Sequence, residues 1–252
     1  MTGVKSVIII PARLASTRLP GKLLLAETGK PLIQHTYEAA RRSRLAGRVL
    51  VACDHPSIFD AVRGVGGEAV MTDPAAPSGT DRVAEAALSV PDADIVVNVQ
   101  GDEPTLSGDS IDMAIRLLQD RPDAEMATLA TPIRSAEAVD DPACVKVVFD
   151  KTGRALWFSR SVIPYPRRRS ESFLTETPPL YYQHIGLYAY RRDFLLSLPE
   201  TPQSLCEITE GLEQLRVLHE GKTILVGVID EAAIGIDTPE DYARFVRSFA
   251  AG

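Results

Sequence analysis

Cysteine is the first scarcity. Only Cys53, Cys144 and Cys206 are present, an odd number without CxxC or Cys/His spacing, so neither a disulfide framework nor a zinc site is indicated. The thiols read as core or surface positions. No apolar run reaches the ~18 residues of a membrane span, and the apolar stretch that begins at Val7 is too short and too soon interrupted for a signal peptide. The expected location is cytoplasmic, with no membrane partner. Positive charge is short as well: 27 Lys and Arg stand against 34 Asp and Glu, a net charge of −7. Broad nucleic-acid binding needs a basic face that neutralises phosphates, so no nucleic-acid partner is expected and any phosphate site has to be local. Neither the Walker A spacing nor GxGxxG occurs, which sets aside P-loop and dinucleotide-binding folds.

What is plentiful is material for a core. With 45% hydrophobic and 24% charged residues over 252 positions, the chain has an ordinary globular composition and enough length for one large α/β domain or two small ones. Short β-branched runs at 7–10, 48–52, 69–72, 95–99 and 126–130 alternate with segments such as 32–44 and 111–119 that carry apolar residues at helical spacing. Alternation of this kind predicts an α/β fold with a mostly parallel sheet and helices on both faces. Ligands in such sheets bind at the carboxyl ends of the strands. From about Thr131 the alternation breaks: runs at 145–149 and 155–159 flank a Lys-Thr-Gly turn and read as a hairpin, and a Pro- and Arg-rich stretch follows to Pro179. The pattern then resumes with strands at 185–190 and 224–228 and helices over 212–219 and 239–249. One domain over 1–252 is expected, with an inserted arm over roughly 131–183.

Two strand ends carry the unusual residues. In VIIIPARLASTRLPGKLL, 7–24, a buried strand runs into a loop with two arginines, Ser16, Thr17, Gly21 and Lys22. Backbone N–H groups at the strand end can cradle phosphate oxygens while Arg13 and Lys22 neutralise charge; an ordinary basic surface loop has the same composition. In NVQGDEP, 98–104, a strand ends in Gln100, Gly101, Asp102 and Glu103. Magnesium takes one or two carboxylates with substrate phosphates and water, and GIDTPEDY, 235–242, offers a second carboxylate in Asp237. Taken alone, Asp237 reads first as part of a helix start, with Thr238 as cap and Pro239 in the first turn.

Together these segments resemble the 3-deoxy-D-manno-octulosonate (Kdo) cytidylyltransferase family, the CMP-Kdo synthetases, nearly end to end. The resemblance is carried by PARLASTRLPGK (11–22), SGTDR (78–82), NVQGDEP, FSRSVIPYPR (158–167), HIGLYAYRR (184–192), LEQLR (212–216) and GIDTPEDY, in that order. The chain departs from the family pattern at Asp81, where Glu is usual, and at Tyr165-Pro166, where an aromatic-Asp pair is usual.

The resemblance implies that CTP lies on Ala12, Arg13, Lys22, Ser78, Gly79 and Arg82, that Arg13, Lys22 and Asp102 are catalytic, and that Asp102 and Asp237 hold Mg²⁺. It implies a Kdo pocket from Gln100, Arg160, His184, Tyr188, Glu210, Glu213 and Gln214, a mixture suited to one carboxylate and many hydroxyls. Read alone, Ser78 and Gly79 make a turn and helix cap, His184 a satisfied core histidine, and Glu210, Glu213 and Gln214 a solvated helix face. The implied reaction transfers CMP from CTP to the anomeric hydroxyl of Kdo for lipopolysaccharide synthesis, with CTP and Kdo as the small-molecule partners. Cytidylyltransferases for 8-amino-Kdo or sialic acid are the neighbouring readings, and a non-catalytic nucleotide-binding regulator is the one from another class. A homodimer built on 145–179 is expected, with Val147, Phe149, Leu156 and Trp157 exposed on the hairpin.

Overall fold

The computed structural model describes residues 4–168 and 170–250. Its organising strand is β1 (Ser6–Ala12), apolar on both faces because it lies at the centre of a sheet covered on both sides. Ile8 and Ile10 point into one core, Val7 and Ile9 into the other. β1 pairs in parallel with β2 (Ala46–Cys53) and β4 (Ile95–Asn98), and β2 pairs in parallel with β3 (Glu68–Met71). Next to β4 lies β8 (Tyr182–Arg191), antiparallel both to β4 and to β5 (Met126–Pro132), while β9 (Ile224–Val228) is parallel to β5. The order β3-β2-β1-β4-β8-β5-β9 reverses direction at β1, so the crevice between the carboxyl ends of β1 and β4 is the topological switch point where ligands bind.

One face of the sheet is covered by α1 (Leu32–Ala40), α2 (Pro56–Gly64), α4 (Gly108–Asp120) and α9 (Pro239–Ala250), through Ile33, Ile58, Ile115 and Tyr242 among others. On the opposite face lie α3 (Gly79–Ala87), α6 (Arg192–Ser197) and α8 (Gln214–His219) with the hairpin of β6 (Lys146–Phe149) and β7 (Ala155–Ser159). Between β5 and β8, α5 (Ala136–Asp140) packs through Val139 on Ile133, Cys144 and Tyr181, a third small core.

Three expectations are corrected. The helix predicted over 32–44 stops at Ala40, because the buried Asp112 carboxylate of α4 captures the next turn, accepting from Ser43 Oγ at 2.6 Å and from the Arg44 and Leu45 amides at 3.1 Å. The helix predicted over 212–219 begins at Gln214, since α7 (Leu205–Glu210) ends on Gly211 in the left-handed region at φ 61°. Of the hairpin side chains expected to be exposed, Val147 is buried and Phe149 half-buried against Tyr182, leaving Leu156 and Trp157 outside. The hairpin does not stand free: Lys146 pairs with Gln183 of β8, and the His184 amide donates to Val145 O at 2.8 Å.

Candidate active site

The loop after β1 is shaped by a carboxylate at the end of the neighbouring strand. Asp54, just past β2, accepts from the Leu14 amide at 2.9 Å, and its own amide donates to Ala12 O. The chain then curls through Gly21, at φ 63°, a conformation that favours glycine, and Lys22 is carried back over the strand ends. Between this loop and the amino end of α3 opens a cleft of about 450 Å³. Arg13, Ser16, Thr17 and Arg18 form one wall, Ser78, Gly79 and Arg82 the other, and Gln100, Gly101 and Asp102 the floor, with Glu213 and Asp237 at the edges. Gly101 is needed there, because a Cβ would lie 2.9 Å from the Pro11 carbonyl oxygen.

At one end of the cleft three oxygens surround one cation. Lys22 Nζ donates to Asp102 Oδ2, to Asp237 Oδ1 at 2.9 Å and to Ile236 O at 2.9 Å. Arg18 Nη2 approaches the same Asp237 oxygen to 3.0 Å. The segment carrying Asp237 is fastened to the β4 end by the Ile236 amide, which donates to Asp102 O at 2.9 Å. Convergent hard oxygens are the donor set of Mg²⁺, so Asp102 and Asp237 fit such an ion, with the ammonium of Lys22 standing where a cation is wanted. No group of three His, Cys, Asp or Glu side chains is placed to hold a metal among the described residues, so these carboxylates would share an ion with a ligand's own oxygens. Beside them, burial and then the charges of Asp102 and Asp237 push the Glu103 carboxyl up to about 8, and its Oε2 has no hydrogen-bond partner.

The second wall is an ordinary helix start put to use. Ser78 caps α3, its Oγ accepting from the Asp81 amide at 3.1 Å and donating to Asp81 Oδ2 at 2.7 Å. Asp81 therefore bonds the cap's hydroxyl, where a capping box has the carboxylate accept from the cap's backbone amide. Arg82 edges the cleft but is buried, with Nη1 donating to Thr72 Oγ1 at 2.5 Å and Asp73 O at 3.2 Å. Arg13 is exposed on the opposite wall.

The remaining candidates gather behind this cleft. Tyr188 and Gln214 line a small adjoining depression, to which Ser78 and Glu213 also belong. Glu213 accepts from Thr80 Oγ1 at 2.6 Å, and Tyr188 donates to Gln214 Oε1 at 3.3 Å. His184, at the start of the apolar part of β8, lies 3.0 Å from Thr128 Oγ1 and 3.4 Å from Gln214 Nε2. Burial lowers its pKa to about 3, so the ring is neutral. Burial also raises the Tyr188 phenol, assisted by the charges of Glu213 and Glu103. Glu210 accepts from Ser159 Oγ at 2.6 Å and from the Arg160 amide at 2.8 Å, while Arg160 donates from Nε to Glu210 O at 2.6 Å and from Nη1 to Pro142 O at 3.0 Å. Arg160, His184 and Glu210 line neither cavity.

Sequence reasoning missed four residues of this neighbourhood. Arg18 lay within the motif and pairs with Asp237. Asp54 could have been found as a carboxylate directly after a strand. Thr80 lay within SGTDR and bonds Glu213. Lys146, a lysine between the apolar Val145 and Val147, is fully buried, and its position in an apolar run was the available clue.

A cation-lined cleft at the switch point of a mostly parallel sheet, with Asp102 on its floor and Asp237 at its edge, has the layout of a nucleotidyltransferase. The cytidylyltransferase family model matches residues 7–224. A 3-deoxy-manno-octulosonate cytidylyltransferase of Rhodopirellula baltica is 49% identical over 96% of this chain and 97% of its own length, and that of Geobacter sulfurreducens is 47% identical over 94% and 96%. A solved structure of CMP:2-keto-3-deoxy-manno-octonic acid synthetase complexed with CTP superposes with a TM-score of 0.91 at 41% identity, over 98% of this chain and 99% of that one. The chain belongs to the 3-deoxy-manno-octulosonate cytidylyltransferase family.

Proposed function

We propose that this chain transfers CMP from CTP to the anomeric C2 hydroxyl of Kdo and releases pyrophosphate. The observation that carries the reading is the cleft at the β1 and β4 ends in which Lys22 meets Asp102 and Asp237, in a chain nearly half identical to Kdo cytidylyltransferases along its length. The C2 hydroxyl oxygen bonds to the α-phosphorus, the bond from that phosphorus to the bridging oxygen of pyrophosphate breaks, and the hydroxyl proton leaves to solvent. Nucleotidyl transfer of this kind depends on positioning and charge neutralisation more than on covalent catalysis.

Arg13 and Lys22 take the triphosphate, and the backbone of 12–22 with Ser78 and Gly79 reads the cytosine edge. Lys22, held between Asp102 and Asp237, neutralises both carboxylates beside the triphosphate site. Asp102 and Asp237 would hold Mg²⁺, which would supply charge neutralisation and a lowered hydroxyl pKa. Arg82, spent on Thr72 and Asp73, supports the wall. Gln100, Tyr188, Glu213 and Gln214 offer amide, phenol and carboxylate groups to the sugar hydroxyls, with His184 behind them orienting Gln214, Arg160 on the sugar carboxylate and Glu210 holding Arg160. The same reading makes the chain a cytoplasmic homodimer that supplies lipopolysaccharide synthesis.

A coupled pyrophosphate assay with four nucleoside triphosphates and Kdo, 8-amino-Kdo and sialic acid tests this. Expected is release from CTP with Kdo that stops on chelation, with UTP poorer by at least ~10-fold in kcat/KM because mispaired buried groups cost about 1–3 kcal/mol each. Equal use of sialic acid, or turnover that survives chelation, would overturn it.

A further inference from the structure

Lys146 is fully buried, at 0% exposure, and makes no ion pair with a carboxylate among the described residues. Its Nζ donates to two backbone carbonyls, Arg160 O at 2.7 Å and Asp141 O at 2.9 Å. A buried cation without a counter-ion is costly, so a chain that keeps one at the crossing of three strands has a use for its charge or its bonds. Around it, β6 pairs with Ser159 of β7 and Gln183 of β8, one residue before Arg160 and His184 respectively. Glu210, one of the carboxylates whose charge acts on Lys146, is engaged by Ser159 and the Arg160 amide.

Arg160 is therefore held from three directions. Lys146 fixes its carbonyl, Glu210 fixes its amide, and its guanidinium bonds Glu210 O and Pro142 O, the residue after the second acceptor of Lys146. Two basic side chains thus tie the chain at 141–142 to the chain at 160 and 210 through backbone carbonyls.

We propose that Lys146 is a positioning residue for the acidic sugar: through the carbonyls of Asp141 and Arg160 it sets the Arg160 guanidinium. The inference rests on the proposed Kdo substrate and on Arg160 as its carboxylate partner. Burial lowers the lysine's pKa, while the charges of Cys144, Asp141, Asp140 and Glu210 oppose that shift.

Steady-state kinetics of Lys146→Met, Lys146→Gln and Lys146→Arg test it, with wild-type turnover of CTP and Kdo measured first. The neutral variants should raise KM for Kdo at least ~10-fold, the scale of a lost charge-assisted interaction, while KM for CTP stays within about twofold; Lys146→Arg should recover most of the loss. A KM for Kdo that does not change, a rise shared equally by both substrates, or failure of both neutral variants to fold makes Lys146 a structural residue only and overturns the assignment. Absence of wild-type turnover with Kdo overturns the proposed function first, and this assignment with it.

Discussion

His184 shows how far a side chain can be moved from its ordinary chemistry by where it sits. Enclosed by Thr128, Gln214 and the ring of Phe158, whose centroid lies 4.9 Å away, it stays neutral down to a pH of about 3. It cannot serve as a proton carrier near neutrality, and with both ring nitrogens partnered it acts through Thr128 and Gln214. The unfolded chain binds this proton at the ordinary histidine pKa of 6.5, the folded chain only near 3. Stability is therefore unaffected by this group above pH 6.5 and falls as the pH drops below it, by up to about 1.4 kcal/mol per pH unit. His184→Gln should lose less stability than the wild type between pH 7 and 5, read as the urea midpoint against pH. Because burial lowers the pKa of His35 as well, the variant keeps some slope; an unchanged slope would mean that His184 is protonated within the fold.

At the scale of elements, the sugar-side candidates depend on two very short helices that propensity alone would not maintain. α7 is closed at its start by a capping box between Ser204 and Glu207, and at its end by Gly211. It is joined to α8 by a two-pronged bond, Arg216 Nε to Glu207 Oε2 at 2.9 Å and Nη2 to Oε1 at 2.5 Å, while Arg216 Nη1 donates to Leu198 O and Thr201 O. With Glu207 buried, removing its charge leaves the arginine without its partner. Glu207→Gln should cost about 3 kcal/mol, measured by urea unfolding, and should lower activity, because Glu210, Glu213 and Gln214 are carried by these helices and the turn between them. A loss below about 0.5 kcal/mol, the range of an exposed pair, would contradict this reading.

For the whole molecule, the outward face of the hairpin and its neighbours is the open question that solution work answers. Leu156 and Trp157 on β7 are exposed, as are Leu205 and Ile208 on α7, and the two elements meet where Glu210 accepts from Ser159. Apolar side chains of this size left outside suit a partner surface. The protein should sediment as a dimer at micromolar concentration, and Leu156→Glu with Trp157→Glu should give monomers. Because Trp157 is the sole tryptophan, diluting the wild type should also shift its fluorescence as the dimer parts; monomer at every concentration would rule the dimer out.

Much of this molecule was legible in the order of its residues. Apolar runs placed the central strands because a strand buried on both faces has no polar alternative, and PARLASTRLPGK and NVQGDEP stood out because charged and small residues follow those runs directly. Local pattern also left Asp237 open between ligand and helix start; the structure shows the helix start, with Thr238 Oγ1 accepting from the Asp241 amide at 3.1 Å, and sets Asp237 against Lys22. Only the tertiary structure decided that Lys22 stands between carboxylates 80 and 215 residues away, that Asp112 ends a helix it does not belong to, and that Lys146 is buried against Arg160. The reason is physical. Periodicity and turn chemistry act over a few residues and so are written locally, whereas the partner of a charge is fixed by which chain segments the sheet brings side by side, and in this fold β8 and the segment before α9 return from the far end of the chain to complete the site begun at β1.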